Sequence, residues 1–220
     1  MSYLKRFLIE LLFPSSCSAC GIDTAYQLCH QCTTQLLSSQ CVKCESVQNG
    51  FCKQCASELG ISGFRVFAPY SLIKQWVYCH KLDLSSKVDL MEDESLDLFF
   101  TSLEKIIEQP FSVELVPTED KENWVENILP NSIKNRIGPP VLRRVENQVG
   151  QKYLNREERN IRGGSLFEIS SNVQLTTDTV LLIDDVMTTG ISLQSCVSML
   201  LGLGYKRVYV VVFAYKNRLT

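Results

Sequence analysis

Residues 180–192 limit what this chain can fold into more than any other stretch. Val180, Leu181, Leu182 and Ile183 form an unbroken apolar run, which suits a parallel strand buried on both faces. Asp184 and Asp185 follow at once, and Val186, Met187, Thr188, Thr189, Gly190 and Ser192 lead into a helical pattern over about 190 to 202. A buried strand that ends in carboxylates and passes through a small, hydroxyl-rich loop into a helix puts polar groups at the carboxyl edge of a sheet. Open α/β sheets bind their ligands at that edge.

The rest of the chain after Gly63 supports the same class. Phe64 to Tyr70 reads as a strand, and residues 71 to 82 place Leu72, Ile73, Trp76 and Val77 at helical spacing. Leu96, Phe99, Phe100, Leu103, Ile106 and Ile107 form a second helical stripe that Pro110 stops. Val113 to Val116 is a short strand, residues 122 to 134 are expected to be helical, and Val208 to Ala214 is a last strand. Strands alternating with helices predict an α/β domain, a parallel sheet with flanking helices on both faces, over residues 63–220.

The loop after Ile183 has the chemistry of a sugar-phosphate site. A helix N-terminus offers unpaired N–H groups and the positive end of its dipole to an anion. Thr188, Thr189 and Ser192 add hydroxyl donors, and Gly190 lets the backbone come close. Asp184 and Asp185 cannot be anion ligands, so they are expected to accept hydrogen bonds from sugar hydroxyls. A phosphate and a vicinal diol side by side describe a ribose 5-phosphate. Gly-x-x-x-x-Gly-Lys-Ser/Thr is absent, and Gly202-x-Gly204 lacks the rest of a dinucleotide fingerprint, so P-loop and Rossmann cofactors have no support.

The first 62 residues are of another kind. Eight of the ten cysteines form four Cys-x-x-Cys pairs: Cys17 with Cys20, Cys29 with Cys32, Cys41 with Cys44, and Cys52 with Cys55. Two such knuckles supply the four thiolates of a closed tetrahedral zinc site, so eight predict two structural Zn²⁺ ions. Sequential pairing of the knuckles is favoured over interleaved pairing because short loops cost less closure entropy. Disulfides would require an oxidising compartment, and the N-terminus does not read as a secretory signal: Glu10 interrupts the apolar run. Leu4, Phe7, Leu8, Leu11 and Leu12 instead mark an amphipathic helix ended by Pro14. No run of about 18 apolar residues occurs for membrane insertion, and a cytoplasmic location is expected. Cys79 and Cys196 stand apart as apolar residues.

Charge gives no overall case for nucleic acid, since the formal net charge is −2. Residues 1–61 balance before metal is counted, and each four-thiolate zinc centre adds a formal −2, which points that module toward a structural or protein-docking role. The stretch from Lys134 to Arg162 holds eight basic residues against three acidic ones, and is the main place where phosphate could be welcomed.

These motifs together resemble the ComF family of competence-associated proteins, also described as amidophosphoribosyltransferase-like. Residues 180–192 look like the phosphoribosyl-pyrophosphate (PRPP) signature of type I phosphoribosyltransferases. The Cys pairs, the Leu-rich leading helix, Lys81-Leu82 and the stretch from Gln151 through Leu154, Arg156 and Arg159-Asn160 look like the ComF pattern. The resemblance implies a type I phosphoribosyltransferase-like sheet preceded by a small four-cysteine zinc-ribbon module, with PRPP and Mg²⁺ at the site. Asp184 and Asp185 would hold the ribose hydroxyls and act as the catalytic pair. Val186, Met187, Thr188, Thr189, Gly190 and Ser192 would surround the 5′-phosphate, with Lys81 as a further contact. The loop after Val116-Pro117 would approach pyrophosphate, and residues around 146 to 163 would form a flap. That loop departs from the family: where a longer basic segment is usual, it carries Glu119, Asp120 and Glu122, which repel pyrophosphate. Two readings stay open. One is a phosphoribosyltransferase acting on an unknown acceptor. The other is a non-catalytic accessory protein of DNA uptake and natural transformation, binding a nucleotide or single-stranded DNA and docking a competence helicase partner.

Overall fold

The computed structural model describes residues 53–81, 93–119, 123–145 and 166–216. The leading helix and the flap expected from the sequence lie outside them. So do seven of the eight expected zinc ligands: Cys17, Cys20, Cys29, Cys32, Cys41, Cys44 and Cys52. No helix among the described residues is long and apolar enough to cross a membrane.

Among the described residues, four parallel strands form the central sheet: β1 (Gly63–Pro69), β2 (Ser112–Leu115), β5 (Thr179–Met187) and β6 (Arg207–Tyr215), in the order β1-β6-β5-β2. Helices α1 (Lys53–Glu58), α2 (Tyr70–Lys81), α3 (Asp93–Ile107), α4 (Trp124–Ile128), α5 (Asn131–Lys134) and α6 (Ile191–Leu203) flank it. This is the α/β architecture expected from the sequence, and it agrees with a type I phosphoribosyltransferase fold. A separate antiparallel pair, β3 (Leu142–Arg144) and β4 (Phe167–Ile169), has no signal in the sequence. Three-residue strands are too short to show a period, and Arg143-Arg144 reads as surface.

The two faces follow from the alternation of side chains along a strand. Leu181 and Ile183 of β5, with Phe67, Val211 and Phe213, pack under α2 to α5 through Ile73, Val77, Phe99, Phe100 and Trp124. Val180 and Leu182, with Phe64, Val66, Val210 and Val212, pack under α6 and the β3–β4 pair through Leu193, Cys196, Val197, Leu200, Leu142 and Phe167. All four residues from Val180 to Ile183 are fully buried, as a strand covered on both faces requires. Ala56 of α1 and Ile61 join this second layer, so residues assigned by sequence to the cysteine module rest on the sheet.

Three expectations change. Residues 122 to 134 do not form one helix, because Pro130 offers no N–H and holds Leu129 extended (ψ 144°), which leaves α4 and α5 as separate short helices. Strand β5 also runs past the apolar stretch to Met187, because β6 continues to pair with it as far as Met187↔Tyr215. Asp184 and Asp185 therefore lie inside the strand. Ile106, expected in the core stripe of α3, is 45% exposed.

Phe213 sits at the centre of an aromatic cluster, with ring centroids 6.0, 6.3 and 6.3 Å from Phe67, Phe100 and Trp124. Phe213→Ala is expected to remove about 3–5 kcal/mol in urea unfolding. A loss under about 1 kcal/mol would show that the cluster is not what holds the helices to this face.

Candidate functional site

The site forms where β5 loses one neighbour and keeps the other. Strand β2 pairs with β5 only to Leu115↔Ile183, with one more bond from the Val116 N–H to the Ile183 carbonyl at 2.9 Å. Beyond that point, among the described residues, β6 alone continues beside residues 184–187. The two neighbouring carboxylates there meet different surroundings.

Asp185 faces the α2–α4 side and is held there by two donors. The Lys81 ammonium, at the end of α2, lies 2.6 Å from its Oδ2. The Trp124 indole N–H, at the start of α4, donates to the same oxygen at 3.4 Å. Trp124 is a site residue that the sequence does not single out. The local signal lies in Asn123, an N-cap whose Oδ1 accepts from the Val125 N–H while its Nδ2 donates to the Val116 carbonyl, each at 3.2 Å. One side chain thus ties the end of β2 to the first turn of α4 and sets the indole over β5.

Asp184 faces the α6 side. Burial, and next the charge of Asp185, push its carboxyl up to about 7. Its Oδ1 accepts the Asp185 N–H at 2.9 Å. Near neutral pH the two acids therefore differ: Asp185 has a cation against it, and Asp184 retains a proton part of the time. Cys196 lies beneath; burial, then Asp184 and Glu114, push its thiol up to about 12, which leaves it an uncharged packing group.

The loop after β5 is built around Gly190, whose φ of +72° is left-handed and costs a residue with a Cβ about 1–2 kcal/mol. Gly190 caps α6 without a side chain, so the first N–H groups of this 13-residue helix face outward with no side-chain acceptor from the cap. Ser192 and Thr189 are half-buried and Thr188 is exposed beside them. Met187 is buried and its Sδ lies 3.5 Å from where a Cβ on Gly190 would stand, while Val186 packs on the α2–α5 layer. The structure brings Lys81, Asp184, Asp185, Thr188, Thr189, Gly190 and Ser192 to one end of the sheet.

The expected zinc centres are a different matter. Cys55 is buried in α1, on the second layer of the sheet. Its expected fellow ligands Cys17, Cys20, Cys29, Cys32, Cys41, Cys44 and Cys52 lie outside the described residues. Among the described residues there is no group of three or more metal-ligating side chains.

A cleft of about 770 Å³ opens between the loop following β2 and strand β3. Glu119 of that loop, expected to repel pyrophosphate, is paired with Arg144 of β3 at 2.7 Å, which offsets its charge. Asp120 and Glu122 lie outside the described residues. Glu114 is a buried carboxylate of β2 with no sequence signal beyond an acidic residue in an apolar strand. Burial raises it to about 7 against the opposing pull of two backbone N–H groups.

Compared with known protein families, residues 144–220, about a third of the chain, match the phosphoribosyl transferase domain. The matched segment contains β5, the 188–190 loop and α6. No curated protein matches the chain with significance.

The folded chain holds protons at Asp184 and Glu114 that the unfolded chain releases near pH 4. Folding thus binds more protons between about pH 4 and about 7, so stability should fall as pH rises through that window and level off above it. Urea unfolding from about pH 5 to about pH 8 reads this slope, and Asp184→Asn should flatten part of it. A stability that climbs over the same range would contradict the burial of these carboxyls.

Proposed function

We propose that the chain binds PRPP at the carboxyl edge of β5 and acts as a phosphoribosyltransferase. The observation that carries this reading is the side-by-side placement of Asp184 and Asp185 with the open N-terminus of α6, inside the segment matching the phosphoribosyl transferase domain. The α6 N–H groups with Thr188, Thr189 and Ser192 receive the 5′-phosphate. The aspartates accept from the ribose 2′ and 3′ hydroxyls. Asp185, held by Lys81 and Trp124, is a fixed acceptor, and Lys81 stands where it can turn from Asp185 to a phosphate oxygen.

In the transfer, an acceptor nitrogen bonds to the ribose anomeric carbon while the bond to pyrophosphate breaks and pyrophosphate leaves with the electron pair; the nitrogen's proton passes to water. Positive charge develops on the sugar, and the neighbouring carboxylates lower its energy. Mg²⁺ fits the donor set, because a raised carboxyl beside a second acid is a pair that a cation relieves, and it would neutralise the pyrophosphate. Such an ion is held by one or two carboxylates together with substrate oxygens, without a dedicated protein cage.

In calorimetry or thermal unfolding, PRPP with Mg²⁺ at about 100 times its dissociation constant should stabilise the protein by roughly 2.7 kcal/mol. Asp184→Asn with Asp185→Asn should abolish this effect, and no stabilisation of the wild type would overturn the reading. The second reading, a ligand-binding protein without turnover, is favoured by the Lys81–Asp185 contact, which already satisfies the acid a substrate needs. Pyrophosphate release with candidate amines or bases separates the two.

The place in DNA uptake, and the single-stranded DNA and helicase-type partners, are supported by the ComF resemblance alone. Neutralising Arg156, Arg159 and Arg162 should weaken salt-dependent binding of single-stranded DNA, and unchanged affinity would remove that role. Zinc binding is supported by the eight thiolates of Cys17, Cys20, Cys29, Cys32, Cys41, Cys44, Cys52 and Cys55. Metal analysis of the purified chain should give about two zinc ions per chain, as two four-thiolate sites require; a metal-free folded protein would end that proposal.

A further inference from the structure

Asp185 is nearly full before any ligand arrives. Its Oδ1 accepts the N–H of Val186. Its Oδ2 accepts both the Lys81 ammonium, at 2.6 Å, and the Trp124 indole N–H, at 3.4 Å. A carboxylate oxygen has about two lone-pair positions, so Oδ2 has none left for a hydroxyl. A sugar that needs this oxygen must first displace a donor.

The two donors are not equally removable. Trp124 is 8% exposed and its ring lies 6.3 Å from Phe213 in the aromatic cluster, so the indole is fixed. The Lys81 side chain is 42% exposed and makes no other hydrogen bond or ion pair among the described residues. Its place follows from the sequence of α2: Ile73, Val77 and Lys81 recur at intervals of four on one stripe of the helix, and the first two are buried against the sheet. The same stripe thus carries an ammonium to the carboxylate where the apolar part of β5 ends. A partly exposed ion pair contributes little to stability, which suits an exchangeable contact rather than a structural tie.

We infer that Lys81 is a specificity-determining residue that turns away ribose monophosphates: its ammonium occupies the hydroxyl-accepting oxygen of Asp185 and yields it only to a sugar whose second anionic group takes the ammonium in exchange. This role rests on the PRPP reading of the site. Ribose 5-phosphate brings one phosphate, which the N-terminus of α6 receives, and nothing that draws Lys81 away. A ribose that also carries an anionic group at its anomeric carbon brings both. The wrong ligand must therefore break an ion pair without replacing it. Its apparent affinity falls by the fraction of time that the carboxylate is free.

Calorimetric titration of the full chain with ribose 5-phosphate, without divalent cation, compares the wild type with Lys81→Met and Lys81→Arg. Deleting a positive charge by itself weakens the binding of an anion. Here Lys81→Met should instead bind ribose 5-phosphate about tenfold more tightly than the wild type, the gain expected where the carboxylate is free about a tenth of the time. Lys81→Arg restores a cation and should stay close to the wild type. The Trp124 indole N–H, bonded to the same oxygen, reports the place of binding in ¹⁵N-resolved NMR, and its signal should move as ribose 5-phosphate fills Lys81→Met. Unchanged or weaker binding in Lys81→Met, or a gain that leaves the Trp124 signal unmoved, would overturn the inference. PRPP with Mg²⁺ on the wild type tests the underlying reading separately. PRPP stabilisation with no gain in Lys81→Met removes the specificity role alone, whereas no binding of either compound to any of the three proteins removes the PRPP reading and this role together.

Discussion

Two-sided burial of β5 is the constraint on which the rest depends. Four consecutive residues, Val180 to Ile183, are covered completely. A strand in that position needs neighbours on both edges and helices on both faces, and the chain supplies β2 and β6 at the edges, α2 to α5 on one face, and α6 with the β3–β4 pair on the other. Apolar burial at roughly 25 cal/mol per Å² makes such a strand the best-anchored part of the sheet. Rigid support at Ile183 is what lets the next two residues be carboxylates.

Those carboxylates divide by what each one meets. Asp185 meets Lys81 and Trp124, while Asp184 is buried near Cys196 of α6. One acid is thereby held by a cation and the other raised by burial and by its neighbour. Burial and a neighbouring charge thus set Asp184 apart from an ordinary surface carboxylate.

Electrostatic offsets recur one strand away. Glu114 stands in for ladder bonds to β3, and Arg144 of β3 reaches back to Glu119 of the loop after β2. The acidic character of that loop, which counts against an anionic ligand when read as sequence, is moderated by a basic residue 25 positions later in the chain. Strand β3 thereby becomes one wall of the cleft, joined to the central sheet by the Glu114 side chain rather than by strand pairing.

Much of this was legible from residue order. The apolar run before Asp184-Asp185, the hydroxyl-rich turn, Gly190 and the helical stripe of α3 each have a local period or a local conformational demand, and each was found where expected, apart from the exposed Ile106. What depended on partners was not legible. Strand β5 outlasts its apolar run because β6 stays beside it, and the helix expected over 122 to 134 breaks because Pro130 forbids its continuation. Trp124 reaches Asp185 because Asn123 bonds to Val116, and Glu114 is buried because β3 folds over it. Sequence alone therefore determined the class of fold and the chemistry of the β5 loop, since both follow from short-range patterning. Only the tertiary structure decided which carboxylate is paired, which is raised and where the cleft opens, because those follow from groups brought together across many intervening residues.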